Sequence, residues 1–191
     1  MKKTLILFIS IFALLSCGDG KPKLSEAELD EMVEKQFQEK MEAIEKEAME
    51  DQFKWIYENE KDDMTDEIRH IARITSRDIA RLDFPYEGGT YLTLYVRKQG
   101  NKQAVFVSSS NGQIHDDYRN PIMTVRFDDD EPINFGVSES SDNESTIRFI
   151  NSPDKFIERL KKSKKLKIQV EYYSNGRHVF TYDTNDLKWE Y

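Results

Sequence analysis

From Tyr91 to Tyr182, apolar residues return at every second position in a series of short runs, a period that buries one face of extended backbone and no face of a helix. Leu92, Leu94 and Val96 follow Gly88-Gly89. Ala104 to Val107 lies beyond Gln99-Gly100-Asn101-Lys102, where glycine meets the positive φ of a tight hairpin. Met123, Val125 and Phe127 alternate with Thr124, Arg126 and Asp128, predicting a strand with a charged outer face. Ile133 to Val137 and Thr146 to Ile150 read as strands around a loop rich in Ser, Asp and Asn. Leu166, Ile168, Val170 and Tyr172 lead into Ser174-Asn175-Gly176, and Val179 to Tyr182 pairs back. Between them, Ser152-Pro153-Asp154 opens a short helix with an apolar face of Phe156, Ile157 and Leu160. Leu187 and Trp189 close the core. Eight or nine short strands and one small helix predict a mainly-β domain over residues 53–191, a small β-sandwich or partly closed barrel. Lys54 to Glu58 and Ile68 to Ser76 fit helix and strand equally on pattern alone.

The start of the chain restricts how such a domain is stabilised. Lys2 and Lys3 precede an apolar run, Leu5 to Leu15, which is too short for the about 20 residues of a membrane span and has the form of a secretory signal peptide. Leu14-Leu15-Ser16-Cys17 resembles the lipobox of bacterial lipoproteins, which implies cleavage after residue 16 and acylation of Cys17. Cys17 is the only cysteine, so an acylated chain has no thiol left for catalysis, metal binding or a disulfide, and its exported domain is held by its core alone. Residues 17–24 form a tether, and Gly18 after the cysteine points to the outer membrane of a Gram-negative bacterium.

Residues 25–52 predict an acidic amphipathic helix. Ser25 with Glu28 has the form of a capping box. Leu29, Val33, Phe37, Met41, Ile44 and Ala48 follow in steps of four and three, one narrow apolar stripe. Such a helix serves as a spacer or as a self-associating coiled coil that makes a homodimer, or else it packs on the domain. Ser25 to Asp51 holds eleven acidic residues and three lysines, which equals the whole chain's net charge of -8. The acidity is therefore local, and without a basic footprint nucleic acid is excluded as a partner.

Residues with chemical potential lack the spacing that chemistry requires. Asp128-Asp129-Asp130-Glu131 is consecutive and followed by Pro132, unlike the alternating ligands and central glycine of a calcium loop, and reads as an exposed turn. Asp62, Asp63 and Asp66 read the same way. His70, His115 and His178 lack a zinc-binding spacing; His115-Asp116 has the form of a general base without a nucleophile. Lys161 to Lys167 holds five lysines at the end of the short helix, where they suit its exposed carbonyls. With Arg126 and Asp128, Lys161, Lys162, Lys164 and Lys165 form the candidate partner surface. Tyr172, Tyr173 and Trp189 are candidates for an aromatic ligand cleft.

Several short stretches carry a family likeness: Trp55 with Asp63-Met64-Thr65-Asp66; Tyr91-Leu92-Thr93-Leu94 with Arg97; Val125-Arg126-Phe127-Asp128-Asp129; Phe156-Ile157 with Leu160 and Lys164-Lys165-Leu166; and Phe180 with Asp183 and Leu187. Together they resemble the type VI secretion-associated VasI/TagO family and, more distantly, the invasion-associated locus B proteins. The resemblance implies a small β-sandwich envelope domain that acts by binding or assembly, without an active site, and it makes strands of Lys54 to Glu58 and Ile68 to Ser76. The expectation is a lipid-anchored cell-envelope protein, not an enzyme and without a cofactor or metal, whose β-domain binds another envelope component. The alternatives are a small-ligand-binding lipoprotein and a metal-dependent envelope hydrolase using Asp128 and Asp129.

Overall fold

The structure is a computed structural model that describes residues 26–191. The signal peptide, Cys17, the tether and the Ser25 cap lie outside the described residues. The chain falls into two compact units that divide after Glu45.

The first unit holds most of α1 (Glu26–Asp51). No proline or glycine interrupts it, and its 26 residues correspond to about 39 Å of helix. Val33, Phe37, Met41 and Ile44 of the apolar stripe are 52%, 59%, 38% and 58% exposed. Among the described residues, no helix is long and apolar enough to cross a membrane.

The second unit is mainly β, as expected. Its strands are β1 (Ile56–Lys61), β2 (Ile68–Thr75), β3 (Ala80–Arg81), β4 (Gly89–Thr90), β5 (Leu92–Gln99), β6 (Lys102–Ser109), β7 (Ile122–Phe127), β8 (Ile133–Glu139), β9 (Ile147–Ile150), β10 (Lys165–Tyr172) and β11 (Gly176–Asp183). Helix α2 (Pro153–Leu160) joins β9 to β10. Nine strands make one antiparallel sheet in the order β1-β2-β5-β6-β9-β8-β7-β10-β11, while β3 and β4 pair separately.

The sheet curls over on itself, because strand twist accumulates across nine strands and both halves have one apolar face to hide. Ala72, Ile74, Leu94, Val96, Val105 and Val107 from one half share a core with Val125, Leu166, Ile168, Val170, Phe180 and Tyr182 from the other. The two halves are also tied by polar bonds. The Tyr182 hydroxyl donates to the Leu92 carbonyl at 3.1 Å, and the Ser109 and Tyr172 hydroxyls lie 2.7 Å apart. Past the end of β2, Arg77 N–H donates to the Thr181 carbonyl (2.9 Å) and Thr181 N–H to the Asp78 carboxylate (2.6 Å). The edge strands β1 and β11 do not pair with each other, so the barrel stays open. Helix α2 covers the core with Phe156, Ile157 and Leu160, and Phe156 meets Phe127 and Phe135 edge to face at 5.3 and 5.2 Å.

Candidate docking surface

Side chains directly opposite one another in an antiparallel sheet share a face, so the register assembles rows that no single strand reveals. On the outer face of the first half-sheet, Ile56, Arg73, Tyr95, Phe106, Phe149 and Ser138 stand in one row across β1, β2, β5, β6, β9 and β8. Glu58, Ile71, Arg97 and Ala104 form the next row, and Glu60, Arg69, Gln99 and Lys102 the one after. The inward neighbours Ala72, Leu94, Val96, Val105 and Val107 are fully buried, so these rows face outward.

The centre of this face is aromatic. Tyr95 and Phe106 stack with ring centroids 4.7 Å apart and planes 2° from parallel, and Phe149 continues the ladder 4.9 Å from Phe106. The Arg97 guanidinium lies over both phenylalanines, 5.5 Å from the Phe106 centroid and 5.9 Å from that of Phe149, within cation–π range. All four side chains are half-buried.

Charge on the face is unevenly satisfied. Arg73 Nη2 reaches Glu58 at 2.9 Å; Arg69 Nη1 reaches Glu60 at 3.1 Å and its Nε donates to Gln99 at 3.3 Å. Among the described residues Arg97 has no ion-pair or hydrogen-bond partner, and Lys102 is exposed and likewise unpaired. Burial, and then the like charge of Arg69, push the Arg97 pKa below the ordinary guanidinium value against a smaller pull from Glu60. Arg97 and Lys102 line a hollow of about 410 Å³ together with Glu67, Gln99, Gly100, Asn101 and Gln103. The surface offers an aromatic platform with an arginine whose donors are free: the equipment to receive a carboxylate carried on an apolar segment.

The surface expected from sequence is put together differently. Asp128, at φ +47°, accepts from the backbone N–H groups of Lys164 and Lys165, both at 2.8 Å, and so staples the β7–β8 turn to the start of β10. Arg126 donates to the carbonyls of Asp130 (2.8 Å) and Asp129 (3.2 Å), which ties down the acidic turn. Lys162 pairs with Glu158 at 2.8 Å. The residues do meet, but Arg126 and Asp128 are used internally, leaving Lys161, Lys164 and Lys165 exposed as a solvated cap.

The aromatic cleft does not form. Tyr172 is buried beside Ser109 at one end of β6, whereas the buried Trp189 donates from Nε1 to Gln103 (2.9 Å) at its other end, about 20 Å of strand away. His115 is not oriented by Asp116, whose carboxylate instead pairs with the buried Arg148; His115 meets the exposed Tyr173 edge on. His70 stacks on Tyr191, and His178 sits 3.1 Å from the Asn175 carbonyl. Asp62 accepts from the N–H groups of Met64 and Thr65, both at 2.9 Å, bonds that lower its pKa and mark it as a turn residue. Among the described residues no three His, Cys, Asp or Glu side chains gather as a metal site.

Sequence reasoning missed Tyr95, Phe106 and Phe149, although for two of them a signal was present: Tyr95 and Phe106 fill positions that alternation reserves for polar residues, turning Leu94–Val96 and Ala104–Val107 into continuous apolar runs. No family model matches the chain, and comparison with curated proteins and with solved structures gave no match.

Proposed function

We propose that this protein is a lipid-anchored component of the bacterial cell envelope, held to the outer membrane through Cys17, whose β-domain acts by binding rather than catalysis. Its docking surface is the Arg97, Tyr95, Phe106 and Phe149 face, and the partner is an acidic segment with apolar side chains on one side. The observation that supports this most is Arg97: a half-buried guanidinium seated on two phenylalanines with its donors unused. Desolvating a cation without an anionic partner costs free energy that the two ring contacts recover only in part, and an incoming carboxylate supplies the missing pair. The resemblance to secretion-associated envelope domains agrees with a role in assembly.

Two measurements test the reading. Mass spectrometry of the native protein is expected to find the chain beginning at an acylated Cys17, and a free thiol there refutes the anchor. A photo-crosslinking amino acid in place of Phe149, placed in the native cell, is expected to give a discrete adduct that Arg97→Glu abolishes. No adduct, or the same adduct in both chains, refutes the docking surface.

A further inference from the structure

Resting on that reading of the sheet face, we infer that its occupant is helix α1 of a second copy, so that two chains exchange helices in a closed dimer. The chain carries both halves of the match. The face presents four basic side chains, Arg69, Arg73, Arg97 and Lys102, against Glu58 and Glu60, which are already engaged by Arg73 and Arg69, and a single further acid, Glu67, in the hollow that Arg97 and Lys102 line. The positive charge left over lies beside an aromatic ladder. Helix α1 is the complementary object: the stretch containing it holds eleven acids and three lysines, with Val33, Phe37, Met41 and Ile44 exposed in one stripe. Four large apolar side chains in line on a highly acidic helix mark a surface made to be covered.

Charge also decides which kind of self-association fits. Two α1 helices packed against each other bring two strongly acidic segments together, with like charges flanking the seam, an arrangement that destabilises a coiled coil. A helix laid on the sheet face replaces that repulsion with attraction. Reciprocal exchange gives a two-fold dimer with two identical helix-on-sheet contacts and leaves neither surface open, so assembly stops at two copies.

The test is sedimentation velocity of the full-length chain in a non-ionic detergent, comparing the wild type with Arg97→Glu and with the double variant Phe37→Gln/Ile44→Gln. The wild type is expected to dimerise below about 100 µM, and more weakly as salt rises from about 0.05 to 0.5 M. Each variant is expected to weaken the dimer at least about tenfold, since one faces the acidic helix with a like charge and the other removes the stripe. A mixture of the two is expected to recover a heterodimer, because one supplies an intact helix and the other an intact face. A helix–helix coiled coil predicts instead that Arg97→Glu dimerises like the wild type and that mixing restores nothing; either result overturns the exchange. A wild type that stays monomeric at about 100 µM also overturns it. Should Arg97→Glu fail to fold by circular dichroism, Lys102→Glu at its exposed neighbour carries the same comparison. A monomeric chain whose residue 149 still crosslinks to a different protein refutes this dimer alone and leaves the docking surface standing.

Discussion

Arg148 is the side chain on which the end of the sandwich opposite the β5–β6 hairpin depends. It points inward from β9, opposite Val107, with its side chain 4% exposed. Its guanidinium pairs with Asp116 and donates to the carbonyls of Ile114 (2.6 Å) and Ile147 (2.7 Å), while the exposed Glu139 stands 3.7 Å away. Those bonds hold the Gln113–Asp117 loop between the approach to β9, where Ile114 N–H donates to the Ser145 carbonyl, and the end of β10, where His115 N–H donates to the Glu171 carbonyl and Tyr173 N–H to the Gln113 carbonyl, each within 2.9 Å. Arg148→Ala leaves the largely buried Asp116 carboxylate and the Ile114 carbonyl without their donor. Breaking a buried ion pair by removing one partner costs about 3–5 kcal/mol. At about 2–4 °C per kcal/mol for a domain of this size, the melting temperature falls by roughly 10 °C. Replacing both partners with apolar groups avoids the orphaned charge, so Arg148→Met/Asp116→Leu is expected to cost less than the two single changes together, with a coupling above about 1 kcal/mol in urea titrations. Amide exchange at Ile114, His115 and Tyr173 is expected to accelerate in Arg148→Ala. A loss below about 1 kcal/mol with unchanged protection at those amides refutes the claim that this arginine holds the loop.

Three further outcomes follow from the core and its turns. Gly112 sits at φ +80° with Leu82 2.5 Å and Tyr172 2.9 Å from where a Cβ would stand, so Gly112→Ala is expected to destabilise by more than about 1 kcal/mol in chemical denaturation, and a neutral result rejects the packing described. Phe156→Ala empties the site between Phe127 and Phe135 and is expected to cost about 3–5 kcal/mol, read as a lower urea midpoint at an unchanged slope. Burial pushes the Tyr172 pKa up to about 12, against a smaller lowering by its Ser109 hydrogen bond. The folded state therefore favours the neutral phenol: this contribution is complete below the unfolded value near pH 10 and is lost as pH climbs toward about 12. Urea stability is expected to fall less steeply over that window in Tyr172→Phe than in the wild type, and parallel declines reject the assignment.

What the sequence makes legible here is local. The two-residue period places β5, β7, β8, β10 and β11 because the signal lies within each strand, and the turns at Gly100 and Gly176 take the positive φ expected of them. The two-residue strands β3 and β4 are too short to show any period. Strand β1 starts at Ile56 rather than Lys54 because the Phe53 and Lys54 N–H groups still bond back to the carbonyls of Glu50 and Asp51, finishing the helix. The candidate surface is not local. Tyr95 and Phe106 are joined by a hairpin and adjacent by construction, but Phe149 reaches them only because β9 pairs with β6, a long-range choice that no run of residues records. Arg148 follows the same logic, since Ile147-Arg148-Phe149-Ile150 has no clean alternation and a charged residue is assigned outward by default. Register reverses that assignment, setting Phe149 on the outer face and Arg148 opposite the buried Val107. A one-residue slip of β9 would exchange the two, burying Phe149 where Asp116 waits for a cation and placing a fourth arginine on the outer face. The ion pair inside and the aromatic ladder outside are thus two readings of one register, and whatever locks Arg148 onto Asp116 also presents Phe149 to a partner.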